Sequence, residues 1–199
     1  MIAAIVMAAG ESRRMGTQKL LLPWGETTVL EHIVSEVVSS AVDVVVVVVR
    51  SGCEAVRCVL NPETVRIVEN PLADATMLDS VRIGLRALPA SCEAVIVVLG
   101  DQPRLHRSVV NDLVDAWTRT GAGIVVPVTS GRRGHPLLFS MRYREEVLSR
   151  YHEQGLRGLL WAHPEDVAEV EVDQPAVLSD IDCPDEYDRE LRLRESSRA

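Results

Sequence analysis

Residues 7–19, MAAGESRRMGTQK, set a glycine turn, two adjacent arginines and a lysine directly behind a short apolar run. These residue types suit a multiply charged phosphate. Backbone N–H groups in a glycine turn form a nest for anions, and cations beyond it neutralise phosphoryl oxygens. Lys19 is the only lysine of the chain, against twenty arginines. A phosphate site that needs a compact, mobile ammonium cannot always take a planar guanidinium, so a lone lysine nine residues past Gly10 points to a function there. Gly10 is expected to adopt backbone dihedrals closed to larger residues, with the small Ala8 and Ala9 letting the turn pack closely. Arg14 is the expected phosphate contact; neighbouring side chains in an extended loop point apart, which leaves Arg13 the weaker candidate. The spacing fits neither a GxGxxG dinucleotide loop nor a P-loop ending in GK[ST].

Three further segments carry chemistry-bearing residues. Residues 99–103, LGDQP, present Asp101 at the end of another apolar run, with a simple loop turn before Pro103 as its alternative. Residues 178–186, LSDIDCPDE, offer Asp180 as a turn former, Asp182 as a site carboxylate or an Asx-turn before Pro184, and Asp185 as a cap for the last helix. Residues 131–136, GRRGHP, offer Arg132 and Arg133 as charge for a phosphate-bearing ligand and Gly134 for close backbone approach. His135, held extended before Pro136, is a substrate contact or a structural residue. No Ser-His-Asp or Cys-His order emerges, so covalent catalysis is not indicated.

The elements that must position these loops read as α/β. Apolar runs at 2–8, 42–49, 65–68, 94–99 and 124–128 are short, β-branched and continuous, the pattern of strands covered on both faces. Helical patterns at 28–39, 53–60, 77–88 and 106–119 alternate with them, with Asp74 and Thr76 as candidate caps of the third. The alternation predicts a doubly wound, mostly parallel sheet with right-handed crossovers, whose ligands lie beyond the carboxyl ends of the strands. Beyond residue 128 a short run at 137–139, helices at 141–150 and 155–161, a half-exposed strand at 167–172, and a polar loop and charged helix from 179 to 199 are expected. One domain over 1–199 accommodates all of this.

Apolar content of 47% and charged content of 25% describe an ordinary folded soluble protein. The net charge of -8 argues against a nucleic-acid or anionic-membrane binder, which needs a basic stripe, while the Arg13, Arg14 and Lys19 cluster keeps a small phosphorylated ligand open. Cys53, Cys58, Cys92 and Cys183 form no CxxC pair and no histidine lies at a zinc-like spacing, so free thiols in a reducing cytoplasm are expected. The apolar start lacks a basic n-region and the six valines at 44–49 are too few to span a bilayer. With no heptad and no exposed apolar stripe, a monomer is expected.

The segments AAGESRRMGTQKLLLPWGETTVLEH, LGDQP, GRRGHPLLF and DIDCPDEY, in this order, resemble the MobA-like nucleotidyltransferases. The likeness is nearest to the branch that transfers CMP to the molybdopterin form of molybdenum cofactor, and it covers nearly the whole chain. It implies a fold like that of the nucleotide-diphospho-sugar transferases. It also implies Mg²⁺ on Asp101 and Asp182, and triphosphate contacts from Ala8, Ala9, Gly10, Gly16, Arg14 and Lys19. Residues 70–85 resemble the segment that touches nucleobase and ribose; Ser80 and Arg82 stand at the expected places, but 75–79 depart from the usual small, serine-rich pattern. Asp79 is left with two roles, acceptor from cytosine N4 or first-turn helix acid. Trp24 likewise lines the ligand or covers the core.

The resemblance thus implies attack by an acceptor phosphate on the α-phosphorus of CTP, with release of pyrophosphate. A phosphate monoester is already nucleophilic at neutral pH, so positioning and electrostatics carry the rate without a protein base. Two rival readings are transfer to another phosphorylated acceptor, and a non-catalytic carrier of nucleotide or molybdenum cofactor that serves a recipient molybdenum enzyme.

Overall fold

The structure, a computed structural model, describes residues 1–196. Among them eight strands form one twisted sheet. Its centre is β1 (Ile2–Ala8), flanked by β4 (Val44–Arg50) and β6 (Ala94–Leu99), both parallel to it. β5 (Arg66–Asn70) extends the sheet past β4, also parallel. On the other side β9 (Leu137–Ser140) runs antiparallel between β6 and β7 (Ile124–Thr129), and β10 (Val167–Glu171) closes the edge parallel to β7. The two-residue β8 (Arg132–Arg133) folds back on β7, and a small separate hairpin pairs β2 (Pro23–Trp24) with β3 (Thr27–Thr28).

The strand sequences explain the layers. Along β1 and β4 alternate residues point to opposite faces. Ala4, Val6, Val45, Val47 and Val49 join one core with helices α1 (Val29–Val38) and α4 (Arg107–Thr120). Ile5, Val46 and Val48 join a second core with α3 (Met77–Ala87), α5 (Arg144–Ser149) and α6 (Arg157–Ala162). An uninterrupted run of valines is therefore what a strand buried on both faces requires. α3 lies so close to β1 that a Cβ on Gly84 would sit 2.7 Å from the Ile5 side chain. The short α2 (Glu54–Cys58) follows β4, and α7 (Pro184–Ser196) ends the described chain.

The mostly parallel sheet expected from sequence is present, with β8 and β9 as the departure. Only residues 130–136 separate β7 from β9. That is too few for a parallel crossover, which needs a dozen or more residues, so the chain reverses and pairs antiparallel. The helix expected at 141–150 is a 3₁₀ turn, Met141–Tyr143, followed by α5. Thr76, not Asp74, caps α3. The first turn of α7 is closed by Glu186, whose carboxylate accepts from the N–H groups of Asp182 and Cys183, rather than by Asp185. None of the four cysteines forms a disulfide. Among the described residues no helix is long and apolar enough to cross a membrane. Residues 197–199 of the charged C-terminal segment lie outside the described residues.

Candidate active site

The carboxyl ends of β1, β4 and β5 and the loops behind them enclose a cleft of about 510 Å³. Ala9, Gly10, Arg13, Arg14, Lys19 and Asp182 line it, joined by Glu11, Ser12, Arg50, Asn70 and Asp74. The glycine loop is fixed from within. Ser12 accepts from the Lys19 N–H at 3.1 Å and donates to Gln18 Oε1 at 2.8 Å, which brings residue 19 back toward the strand ends. Ser12, at φ 53, and Gly16, at φ +68, take the left-handed backbone needed for this reversal. Gly10 does not, contrary to the sequence expectation. No atom stands within 4 Å of where its Cβ would project, so the missing side chain at residue 10 leaves clearance in the cleft wall.

Lys19 lies at the bottom, its side chain 11% exposed. Its Nζ contacts Asp101 Oδ2 at 2.6 Å and Asp182 Oδ1 at 2.9 Å, while Arg14 reaches Asp182 Oδ2 at 2.5 Å. The two carboxylate segments are joined here by backbone as well, through the Ile181 N–H donating to the Asp101 carbonyl at 3.0 Å. Burial opposes the charge on Lys19, but Asp101 and then Asp182 outweigh it and hold the ammonium above its ordinary pKa. Burial pushes the Asp101 carboxyl up, and Asp180 and Asp182 add to the rise against the pull of Lys19. Asp182 is held low because Lys19 and Arg14 overcome the effect of its burial. The result is a pair of converging carboxylates around one cation.

A smaller cavity of about 190 Å³ adjoins the cleft and shares Ala9, Gly10 and Ala75 with it; Asp101 and Ser80 lie in its wall. Ser80 is buried and accepts from Asn70 Nδ2 at 2.8 Å. Asp79 closes a capping box with Thr76, accepting from its N–H at 3.0 Å and its hydroxyl at 2.7 Å, and lies 3.6 Å from Arg82. Its hydrogen-bonding capacity is therefore spent largely on the helix start. Arg82 is buried and donates to the Val147 and Arg150 carbonyls, tying α3 to the end of α5.

A third cavity, about 440 Å³, meets the small one at Thr76 and Met77. Arg133, Gly134, His135, His152, Arg157 and several leucines line it. Arg132 is not among the lining residues; on the two-residue strand it faces opposite to Arg133, whose Nε pairs with Glu169 at 2.6 Å. Gly134 passes under residues 175–178, where a Cβ would sit 2.4 Å from the Val177 carbonyl. His135 donates its backbone N–H to that same carbonyl at 2.9 Å, but its buried Nδ1 has no hydrogen-bond partner. Burial, and then Arg157, depress its pKa against the pull of Asp180, favouring the neutral ring.

The structure thus gathers Ala9, Gly10, Arg14, Lys19, Asp101 and Asp182 at one locus, with Arg133 and His135 in a separate cavity. Ala8 is buried as the last residue of β1, and Gly16 shapes the loop from outside the cleft wall. Trp24 is 2% exposed, packed with Val29 and Ile181 beneath Arg194, so it covers the core and does not face the cleft. Sequence reasoning missed Glu11 and Arg50, and took Asn70 only as the first residue of the 70–85 segment. Their only signal was position, since Arg50 and Asn70 are the last residues of β4 and β5.

Residues 4–167 match the MobA-like NTP transferase domain. A molybdenum cofactor cytidylyltransferase from Escherichia coli is 27% identical over 186 residues, covering 94% of this chain and 93% of that one. A chain from Mycolicibacterium paratuberculosis bearing the name probable molybdenum cofactor guanylyltransferase is 33% identical over 152 residues, covering 75% and 72%. Rv0371c from Mycobacterium tuberculosis superposes with a TM-score of 0.86 at 27% identity, covering 96% of this chain and 97% of that one. In its complex with manganese the TM-score is 0.81 at 26% identity, covering 96% and 98%. Fold, loop order and the match over most of its length agree: the chain belongs to the MobA-like NTP transferase family.

Proposed function

We propose that this protein transfers CMP from CTP to the phosphate of the molybdopterin form of molybdenum cofactor, releasing pyrophosphate, as one catalytic domain acting in the reducing cytoplasm. The observation that carries the reading is the convergence of Asp101 and Asp182 on Lys19 beneath a glycine loop that also presents Arg14. The loop residues Ala9 and Gly10, with Arg14 and Lys19, hold the donor triphosphate, while Ala8 and Gly16 set the course of the loop. Asn70, Ser80 and the start of α3 border the base and ribose, and Arg133 and His135, with Arg132 nearby, receive the acceptor.

The two carboxylates fit a hard divalent cation. Their oxygens already share one positive partner at 2.6 and 2.9 Å, so the donor set converges on a cation. Among the described residues no cluster of three or more His, Cys, Asp or Glu side chains is arranged for a metal. Two carboxylates completed by phosphate oxygens and water are the usual Mg²⁺ arrangement. When bound there, Mg²⁺ supplies charge neutralisation to the phosphates. The remaining chemistry belongs to the chain. Lys19 and Arg14 compensate the charge that builds on pyrophosphate as the α–β bond breaks, and an acceptor phosphate oxygen forms the new bond to the α-phosphorus. No protein base is needed, because an acceptor phosphate monoester is already nucleophilic at neutral pH.

The relative from Escherichia coli favours CTP and molybdenum cofactor, and the manganese complex of Rv0371c favours a divalent ion. The test is a panel of CTP, GTP, ATP and UTP with Mg²⁺, with and without molybdopterin, read as pyrophosphate release. CTP is expected to lead, with strict dependence on the pterin. A wrong base leaves buried polar groups unpaired at about 1–3 kcal/mol each, the source of the selectivity. Preference for GTP would overturn the donor; in a parallel panel with sugar and polyol phosphates, release only with one of these would overturn the acceptor, and no release with any pair would favour a carrier.

A further inference from the structure

At the rim of the cleft the glycine loop spends one of its own carboxylates on two arginines. Glu11 pairs through Oε1 with Arg50 and through Oε2 with Arg13, and Arg13 reaches on to Asp74 at 3.4 Å. Arg50 is the last residue of β4, the strand next to β1, so its backbone is fixed by the sheet while its guanidinium lines the cleft. With Arg14 and Lys19 it makes a cationic wall in which each cation faces a protein carboxylate: Arg50 and Arg13 face Glu11, and Arg14 and Lys19 face Asp182.

We propose that Arg50 is a donor-binding residue, kept over the cleft by Glu11 until a phosphate group of the donor takes the place of that carboxylate. This rests on the reading of the cleft as the donor-phosphate site. Two physical points support it. The Arg50 side chain is 37% exposed and that of Arg13 73%, and exposed carboxylate pairs of this kind are individually weak, so exchanging the partner costs little. A guanidinium fork matches phosphate oxygens as well as it matches carboxylate and gains from their higher charge. Glu11 then serves two ends. It keeps like-charged arginines from repelling each other in the empty cleft, and it competes with the incoming anion.

The competition gives the proposal a signature of opposite signs. Inorganic pyrophosphate, the expected product, is titrated calorimetrically into the intact wild-type chain and into Arg50→Met, Arg50→Lys, Glu11→Gln and Lys19→Met. Arg50→Met should weaken binding about tenfold, with Arg50→Lys in between, as loss of one charge-assisted fork dictates. Glu11→Gln should tighten it several-fold, because the internal competitor is gone. Thermal melts check that each variant is folded. Wild-type affinity in Arg50→Met, or weaker binding in Glu11→Gln, would overturn the proposal. Should Lys19→Met weaken binding while Arg50→Met does not, the phosphate reading of the cleft stands and the role of Arg50 falls. If wild type binds no pyrophosphate, both fall together.

Discussion

The two cavities that hold the candidate site residues are built on opposite principles. The cleft behind β1, β4 and β5 is dense in charge, and its cations meet carboxylates from four separate segments, at residues 11, 74, 101 and 182. The cavity beside β9 and α6 has leucine walls, two arginines and a buried histidine nitrogen without a partner. A site assembled from compensated charges stabilises charge that develops during reaction, because its groups are oriented before the substrate arrives. A site with apolar walls and one unsatisfied polar atom selects a molecule by shape and by the hydrogen bond it can supply. Under the proposed function, the first region carries the rate and the second recognises the acceptor.

Breaking the first region should cost most. Asp101→Asn removes the proposed hard-cation ligand from the buried end of the network, and turnover is expected to fall about 10³-fold while the fold is retained. Steady-state rates at saturating Mg²⁺, with circular dichroism for folding, check this. Near-normal turnover would mean that Asp101 only shapes its loop. Lys19→Met should lower turnover by about 10², since it deletes the charge proposed to neutralise phosphoryl oxygens without removing either carboxylate.

The second region should respond in KM and not in kcat. His135→Ala is expected to raise the acceptor KM about tenfold, the value of one buried hydrogen bond, and to leave the donor KM unchanged. An equal change in both constants would dissolve the division between the cavities.

The smallest effect concerns pH. Because the folded protein lowers the His135 pKa below its ordinary value of 6.5, the unfolded chain binds the proton more readily. Stability from the neutral ring is then full above pH 6.5 and declines as pH falls below it. Chemical denaturation at descending pH should show a loss in wild type that is reduced in His135→Gln. Identical profiles would show that the ring titrates normally.

How much of this was readable in advance follows from locality. β1 and β6 were legible to the residue, because a strand buried on both faces must be apolar throughout. Lys19, Asp101 and Asp182 were each visible as individual residues at strand ends or in turn-rich loops. The family resemblance brought Asp101 and Asp182 together on one ion, but their shared contact with Lys19 was not visible, since it depends on the pairing of β1 with β6 and on the Ile181 backbone bond, which no local pattern encodes. Asp79 shows the reverse case. Thr76-x-x-Asp79 is a local capping pattern, and the structure shows the carboxylate engaged in it. Arg50 and Glu11 stayed hidden because an arginine ending a valine run reads as an ordinary solvated strand end. Antiparallel β9 escaped because the direction of a four-residue run is set by the length of the loop before it.

The central claim is that the cleft moves a nucleotidyl group, and isotope position decides it. CTP labelled with ³²P at the α-phosphate, and separately at the γ-phosphate, is incubated with the protein, Mg²⁺ and molybdopterin, and the products are separated. The account requires α label covalently joined to the pterin product and γ label in pyrophosphate, in equal amounts and both lost in Asp101→Asn. Label from the γ-phosphate on the acceptor, or α label released only as free CMP, would contradict it.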